Sequence, residues 1–165
     1  MNLAEVALTF GHAEEIRFWP GRRAGHGDCI GGSGNRTSDP EEGISMQILV
    51  VDDSKAMRSI VMRAVRQAGY DTVAFVEATN GAEALKMIRA TPPDLVMADW
   101  NMPEMSGIEL LKTLRAEGNQ IKMGFVTSES DPAMRDMAFQ SGALFMITKP
   151  FTPDSLKAVL APVMA

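Results

Sequence analysis

The sequence holds a single cysteine, Cys29, which excludes an internal disulfide and suits a reducing compartment. No apolar run approaches the ~18 residues that a membrane-crossing helix needs. The amino terminus lacks a basic segment followed by an apolar core, so no signal peptide is expected. Basic residues do not outnumber acidic ones: the formal charge of -5 argues against a broad nucleic-acid-binding surface. These absences together lead us to expect a cytoplasmic protein that engages neither membrane nor nucleic acid. The 165 residues, 45% of them hydrophobic, are enough for one self-supporting core with an appendage.

The appendage is residues 1–45. It holds eight of the fourteen glycines, both histidines and Cys29. From Gly21 to Gly43 no apolar period survives, and Gly31-Gly32-Ser33-Gly34 is linker-like. A segment of this kind buries too little apolar surface to offset its ordering entropy, so disorder is expected. Residues Asn2 to Phe18 offer at most a weak helix, interrupted by Gly11. His26-x-x-Cys29 has the look of a metal ligand pair, but no second pair exists, and two polar residues in a tail is the stronger reading. The extension is expected to be dispensable. An over-extended start is one reading of it, which an intact mass including Met1 to Ser45 would reject.

From Met46 the punctuation is regular. A strand at Gln47 to Val51 precedes a helix from Ser54 to Ala68, with Met57, Ile60, Val61, Ala64, Val65 and Ala68 expected on its inward face. Gly69 stands where a left-handed cap belongs. A second strand, Thr72 to Glu77, leads to the capping-box-like Asn80-x-x-Glu83 and a helix that stops before Pro92-Pro93. A third strand, Leu95 to Ala98, leads to a capping box at Ser106-x-x-Glu109 and a helix with Ile108, Leu111 and Leu114 inward. The fourth strand is Lys122 to Val126, and Asp131-Pro132 opens the fourth helix. The fifth strand is Leu144 to Thr148, and Thr152-Pro153 opens the last helix. The strands are continuous apolar runs, so helices cover both faces. The expected fold is α/β: a (βα)5, five-stranded, doubly wound parallel sheet in the order 2-1-3-4-5, spanning residues 46–165.

In that order the first and third strands are neighbours, which brings Asp52 and Asp53 beside Asp99 at the carboxyl ends where open α/β sheets bind ligands. Three formal negatives crowded together raise one another's pKa unless a hard cation intervenes, and an all-oxygen set suits Mg²⁺. Lys149 and Thr127 arrive from the fifth and fourth strands. A buried ammonium needs a partner, and Asp99 is the expected one. Lys149-Pro150 is expected to be cis, to aim the lysine. Each acid alone has a plainer reading, as a helix cap or a turn residue. Jointly they describe phosphoryl transfer to a free carboxylate, giving an acyl phosphate.

The stretches VVDDS, ADWNMPEMSG, FVTSE and ITKPF resemble those of bacterial response-regulator receiver domains of the CheY-like family, across residues 46–165. The resemblance implies that Asp99 is the phosphoacceptor. It implies Mg²⁺, with Mn²⁺ as a substitute, held by Asp53, Asp99 and the Asn101 backbone carbonyl, with Asp52 assisting mainly through water. Thr127 and Lys149 match the family's switch hydroxyl and lysine. Asn101 and Glu129 match the positions that tune the lifetime of the acyl phosphate. One position departs: Met146 replaces an aromatic residue that often sits three before the lysine, and Phe145 points to the opposite face.

A stand-alone response regulator follows from this resemblance. Its phosphate donor would be a histidine kinase or a histidine phosphotransfer protein. Its output would be a protein bound to the face of the fourth helix, fifth strand and fifth helix, in chemotaxis for example. No output domain is expected, since the chain ends at Ala165 just after the last helix. Met134, Met137 and Phe139 are candidates for that surface, although at least two of them are expected to face the sheet. A phosphorelay intermediate or phosphate sink is the alternative. An aspartyl-nucleophile phosphatase is less well supported, because Asn101 stands where such enzymes carry an acid. A flavodoxin-like cofactor binder is disfavoured because Asp52-Asp53-Ser54-Lys55 would repel a phosphate without a metal. Slow self-hydrolysis is the only turnover expected.

Overall fold

A computed structural model of the chain describes residues 46–165. The expectations for residues 1–45 lie outside the described residues. Five strands and five helices alternate: β1 (Gln47–Val51), α1 (Lys55–Gln67), β2 (Ala74–Ala78), α2 (Gly81–Ala90), β3 (Leu95–Ala98), α3 (Gly107–Ala116), β4 (Lys122–Thr127), α4 (Pro132–Gln140), β5 (Met146–Thr148) and α5 (Pro153–Met164). The sheet is wholly parallel in the order β2-β1-β3-β4-β5, as expected.

Alternate residues of each central strand serve opposite cores, which is why the strands read as unbroken apolar runs. On one face Ile48, Val50, Leu95, Met97 and Val126 pack with Val61 and Val65 of α1 and Leu156 and Leu160 of α5. On the other, Leu49, Val51, Val96, Ala98 and Phe125 pack with Leu85 and Ile88 of α2, Leu111 and Leu114 of α3 and Ala138 of α4. Each helix begins at the residue the sequence marks for it. Ser54, Asn80, Ser106, Asp131 and Thr152 are the N-caps. The box at Ser106 and Glu109 is reciprocal. That at Asn80 is only half closed: Asn80 accepts the Glu83 N–H at 2.8 Å, but the Glu83 carboxylate reaches back to the Thr79 N–H and hydroxyl, at 2.7 and 2.6 Å. Gly69 has φ +101°, the left-handed cap expected of it.

Three local expectations are corrected. Ile60 is 49% exposed, and Arg58 is buried in its place on α1. Residues 58, 61 and 65 form the inward stripe, and Ile60 lies about 100° round from Val61. β2 begins two residues later than expected and extends to Ala78. β5 is shorter, Met146–Thr148, and Leu144, 48% exposed, lies in the connection before it.

The opposite end of the sheet is tied by Arg115. Its guanidinium donates to the carbonyls of Asn119, Ile121 and Gly142 at 2.7, 3.0 and 2.9 Å, joining the end of α3 to the start of β4 and the end of α4. Arg115→Ala leaves all three carbonyls to water and is expected to cost about 2 kcal/mol of stability, measured by urea unfolding.

Candidate functional site

The strand register sets the site. Val51 of β1 pairs with Ala98 of β3, so the next residues, Asp52 and Asp99, leave the sheet side by side. The Asp99 N–H still donates to the Val51 carbonyl at 2.8 Å, holding the two strand ends together. Each of Asp52, Asp53 and Asp99 brings one carboxylate oxygen within 4.8 Å of the others.

Asp52 is held from every side. One carboxylate oxygen accepts the Ser54 N–H at 2.8 Å, and the other accepts Lys149 Nζ at 2.9 Å. Its own N–H donates to the Ala78 carbonyl at 3.2 Å, and its carbonyl accepts Arg58 Nη1 at 2.7 Å. Asp53, the next residue, is exposed. Asp99 is half-buried. Burial raises the pKa of its carboxyl; the Lys149 ammonium pulls it back down and the Asp52 charge adds to the rise, with a net upward shift.

Lys149 is positioned from its backbone. Its N–H donates to the Thr127 carbonyl at 2.7 Å, and the Lys149-Pro150 bond is cis, as expected. The side chain reaches both acids, at 2.9 Å to Asp52 and 3.4 Å to Asp99. The expected partner was Asp99 alone. The nearer one is Asp52, whose more deeply buried carboxylate has greater need of a cation.

Thr127, 1% exposed, closes β4 and accepts the Glu129 N–H on its hydroxyl at 3.1 Å. Asn101 and Glu129 meet: Asn101 Nδ2 donates to Glu129 Oε1 at 3.1 Å, joining the loops after β3 and β4. Met146 is 9% exposed and belongs to the core on the α4 side, so it is an inward residue. Phe145 lies in the opposite core, as the strand alternation required. On α4, Met134 is partly buried, but Met137 and Phe139 are 42% and 41% exposed. The expectation that two of these three face the sheet is therefore corrected: the inward place on this short helix goes to Ala138.

Three residues around the site carry weight that sequence reading did not give them. Arg58 is one; its signal was an arginine set on an otherwise apolar stripe. Trp100, the residue after Asp99, is another, buried with its ring 5.1 Å from that of Phe125. The third is Gly107, where a Cβ would stand 2.2 Å from the Asp99 carbonyl oxygen. Chemically, the cluster offers hard oxygen donors suited to a divalent cation. It also presents a carboxylate oxygen of Asp99 beside a fixed ammonium.

Comparison with known proteins agrees with this geometry. The family model described as the response regulator receiver domain matches residues 48–161. The chain is 39% identical over 122 residues to the chemotaxis protein CheY1 of Helicobacter pylori (strain J99), covering 72% of this chain and 97% of that protein. It is 40% identical over 122 residues to a chemotaxis protein CheY homolog of Campylobacter jejuni, covering 72% of this chain and 92% of that one. Among solved structures, chemotaxis protein CheY4 of Vibrio cholerae superposes with a TM-score of 0.63 at 30% identity, covering 72% of this chain and 98% of that chain. A five-stranded sheet in the order β2-β1-β3-β4-β5, an acid cluster at its carboxyl edge and these likenesses converge: the chain belongs to the CheY-like response regulator receiver family of two-component signalling.

Proposed function

We propose that this receiver accepts a phosphoryl group on Asp99 from a histidine kinase or a histidine phosphotransfer protein and signals through the protein contacts of the modified form. The observation that carries the reading is the Lys149 ammonium set between Asp52 and Asp99. An Asp99 oxygen attacks phosphorus in line. The phosphorus–nitrogen bond of the donor breaks, its electron pair stays on the imidazole nitrogen, and that nitrogen takes up a proton. Lys149 and the Thr127 hydroxyl supply donors to the phosphoryl oxygens as charge spreads over them.

The donor set fits Mg²⁺: three carboxylates within 4.8 Å with no nitrogen or sulfur ligand among them. Asp53, Asp99 and the Asn101 carbonyl would hold the ion, with Asp52 assisting mainly through water, and Mn²⁺ could take its place. The bound ion would supply positive charge against the transferring oxygens.

Thr127 and Lys149 carry the signal outward. A move of the Thr127 hydroxyl toward the phosphoryl group, to which it would donate, shifts the oxygen that accepts the Glu129 N–H and so pulls on the loop that leads into α4. Met146, inward already and easily repacked, stands at the position where the family often has an aromatic residue and would give a softer switch. The exposed Met137 and Phe139 give α4 adaptable contact area for an output protein. Asn101 and Glu129, joined by their hydrogen bond, occupy the two positions at which the family tunes the lifetime of the acyl phosphate, and they would set the rate of a slow self-hydrolysis. That the similar proteins of Helicobacter pylori and Campylobacter jejuni are chemotaxis proteins supports a role in chemotaxis.

Acetyl phosphate with Mg²⁺ should add one phosphoryl group per chain, mapped to Asp99 by peptide mass; labelling that maps elsewhere would overturn the assignment. Lys149→Ala should still bind Mg²⁺ and still be labelled at Asp99, though more slowly, since it loses one donor to the phosphoryl oxygens. It should lose the change in amide hydrogen exchange over α4 that accompanies labelling of the parent chain. An unchanged α4 response would remove Lys149 from the switch.

A further inference from the structure

Among the described residues three polar or charged groups are buried: Asp52, Thr127 and Arg58. The first two already have places in the site. Arg58, 8% exposed, has none. A buried guanidinium is costly unless its donors are matched, and those of Arg58 are directed at two particular groups. Nη1 donates to the Asp52 backbone carbonyl at 2.7 Å, and Nε donates to Glu77 Oε2 at 2.6 Å. Glu77 comes from β2, on the far side of β1 from Asp99. The arginine therefore spans from β2 to the peptide that joins Asp52 to Asp53.

That peptide decides where the Asp53 carboxylate points. The Asp52 side chain is fixed by the Ser54 N–H and Lys149, and its N–H by the Ala78 carbonyl. The carbonyl is the remaining polar group of the residue, and the guanidinium is its donor. We propose that Arg58, braced by Glu77, is a positioning residue for the metal site: it fixes the Asp52–Asp53 peptide so that the exposed Asp53 carboxylate meets those of Asp52 and Asp99. Without it the peptide rotates, the carbonyl turns to water, and the three acids no longer converge. The inference rests on the metal-binding reading above.

Calorimetric titration with Mg²⁺ tests it on the full chain. Arg58→Met removes both hydrogen bonds while keeping an apolar stem for the α1 stripe. It should weaken Mg²⁺ binding about 10- to 100-fold, the range seen when groups that orient metal ligands are removed. Glu77→Gln, at a half-exposed side chain that folding should tolerate, should weaken binding in the same direction by less, and it carries the test if Arg58→Met does not fold. Arg115→Ala, far from the acids, controls for lost stability and should leave Mg²⁺ affinity unchanged. Folded Arg58→Met or Glu77→Gln binding Mg²⁺ like the parent chain would overturn the proposal, as would an equal loss in Arg115→Ala. A parent chain that takes up no Mg²⁺ would instead overturn the metal-binding reading itself.

Discussion

Asp99→Asn is expected to abolish phosphoryl uptake from acetyl phosphate and, in metal-free protein, to raise the melting temperature by a few degrees. The first effect follows from chemistry, since an amide oxygen is no nucleophile for phosphorus at neutral pH. The second follows from electrostatics. Burial and then the Asp52 charge raise the Asp99 pKa against the pull of Lys149. A carboxyl whose folded-state pKa lies above its unfolded value binds its proton more tightly in the folded chain. Its contribution to stability is therefore full below the unfolded value and is lost as pH rises through the raised one. Ionising Asp99 in the folded chain therefore carries a cost, and Asn removes the charge while keeping the shape. Thermal melts in a chelator read this directly. A variant that melts lower than the parent chain would show that Lys149 more than compensates the charge.

Gly107→Ala is expected to destabilise the domain by about 3 kcal/mol and to cut labelling of Asp99 among the molecules that still fold. Alanine improves a helix by about 1 kcal/mol in general, so the sign has to be argued. A Cβ here would lie 2.2 Å from the Asp99 carbonyl oxygen and 2.9 Å from the Phe125 ring. The first is backbone and cannot swing aside. To make room, α3 must part from the end of β3, which lets go of the Gly107 N–H bond to the Trp100 carbonyl at 3.0 Å. The steric term exceeds the propensity term, and the displaced backbone is the one that carries the acceptor. Urea unfolding and the extent of labelling per folded molecule measure the two effects separately.

Gly107 also shows where the sequence is silent. Its neighbour Ser106 announces a helix start through a local pattern, because a cap and its box are made within four residues. Nothing local says that the helix must then lie against the carbonyl of Asp99. The same divide runs through the site. Asp52, Asp53 and Asp99 could be brought together on paper because each ends or follows an apolar run, and parallel (βα) connectivity leaves few strand orders. That Lys149 sits closer to Asp52 than to Asp99 depends on side-chain packing between groups 97 positions apart. Arg58 was hidden for a related reason. Its partner Glu77 is 19 positions away on a different strand, and helical spacing alone made Ile60 as good an inward residue. On α4, three apolar side chains suggested an inward face, yet a helix of 9 residues over the outer half of the sheet needs little more than Ala138. Patterns within one element report on that element, whereas the fit between elements has to be seen.

Titration of the full chain with Mg²⁺ in a calorimeter, near pH 7 and again near pH 5, tests the central claim most directly. The account predicts one ion per chain near neutrality, lost in Asp53→Asn. Binding should be weaker at about pH 5, because protons then compete for an Asp99 carboxyl whose pKa is already raised. No uptake at either pH, or uptake untouched by Asp53→Asn, would contradict it.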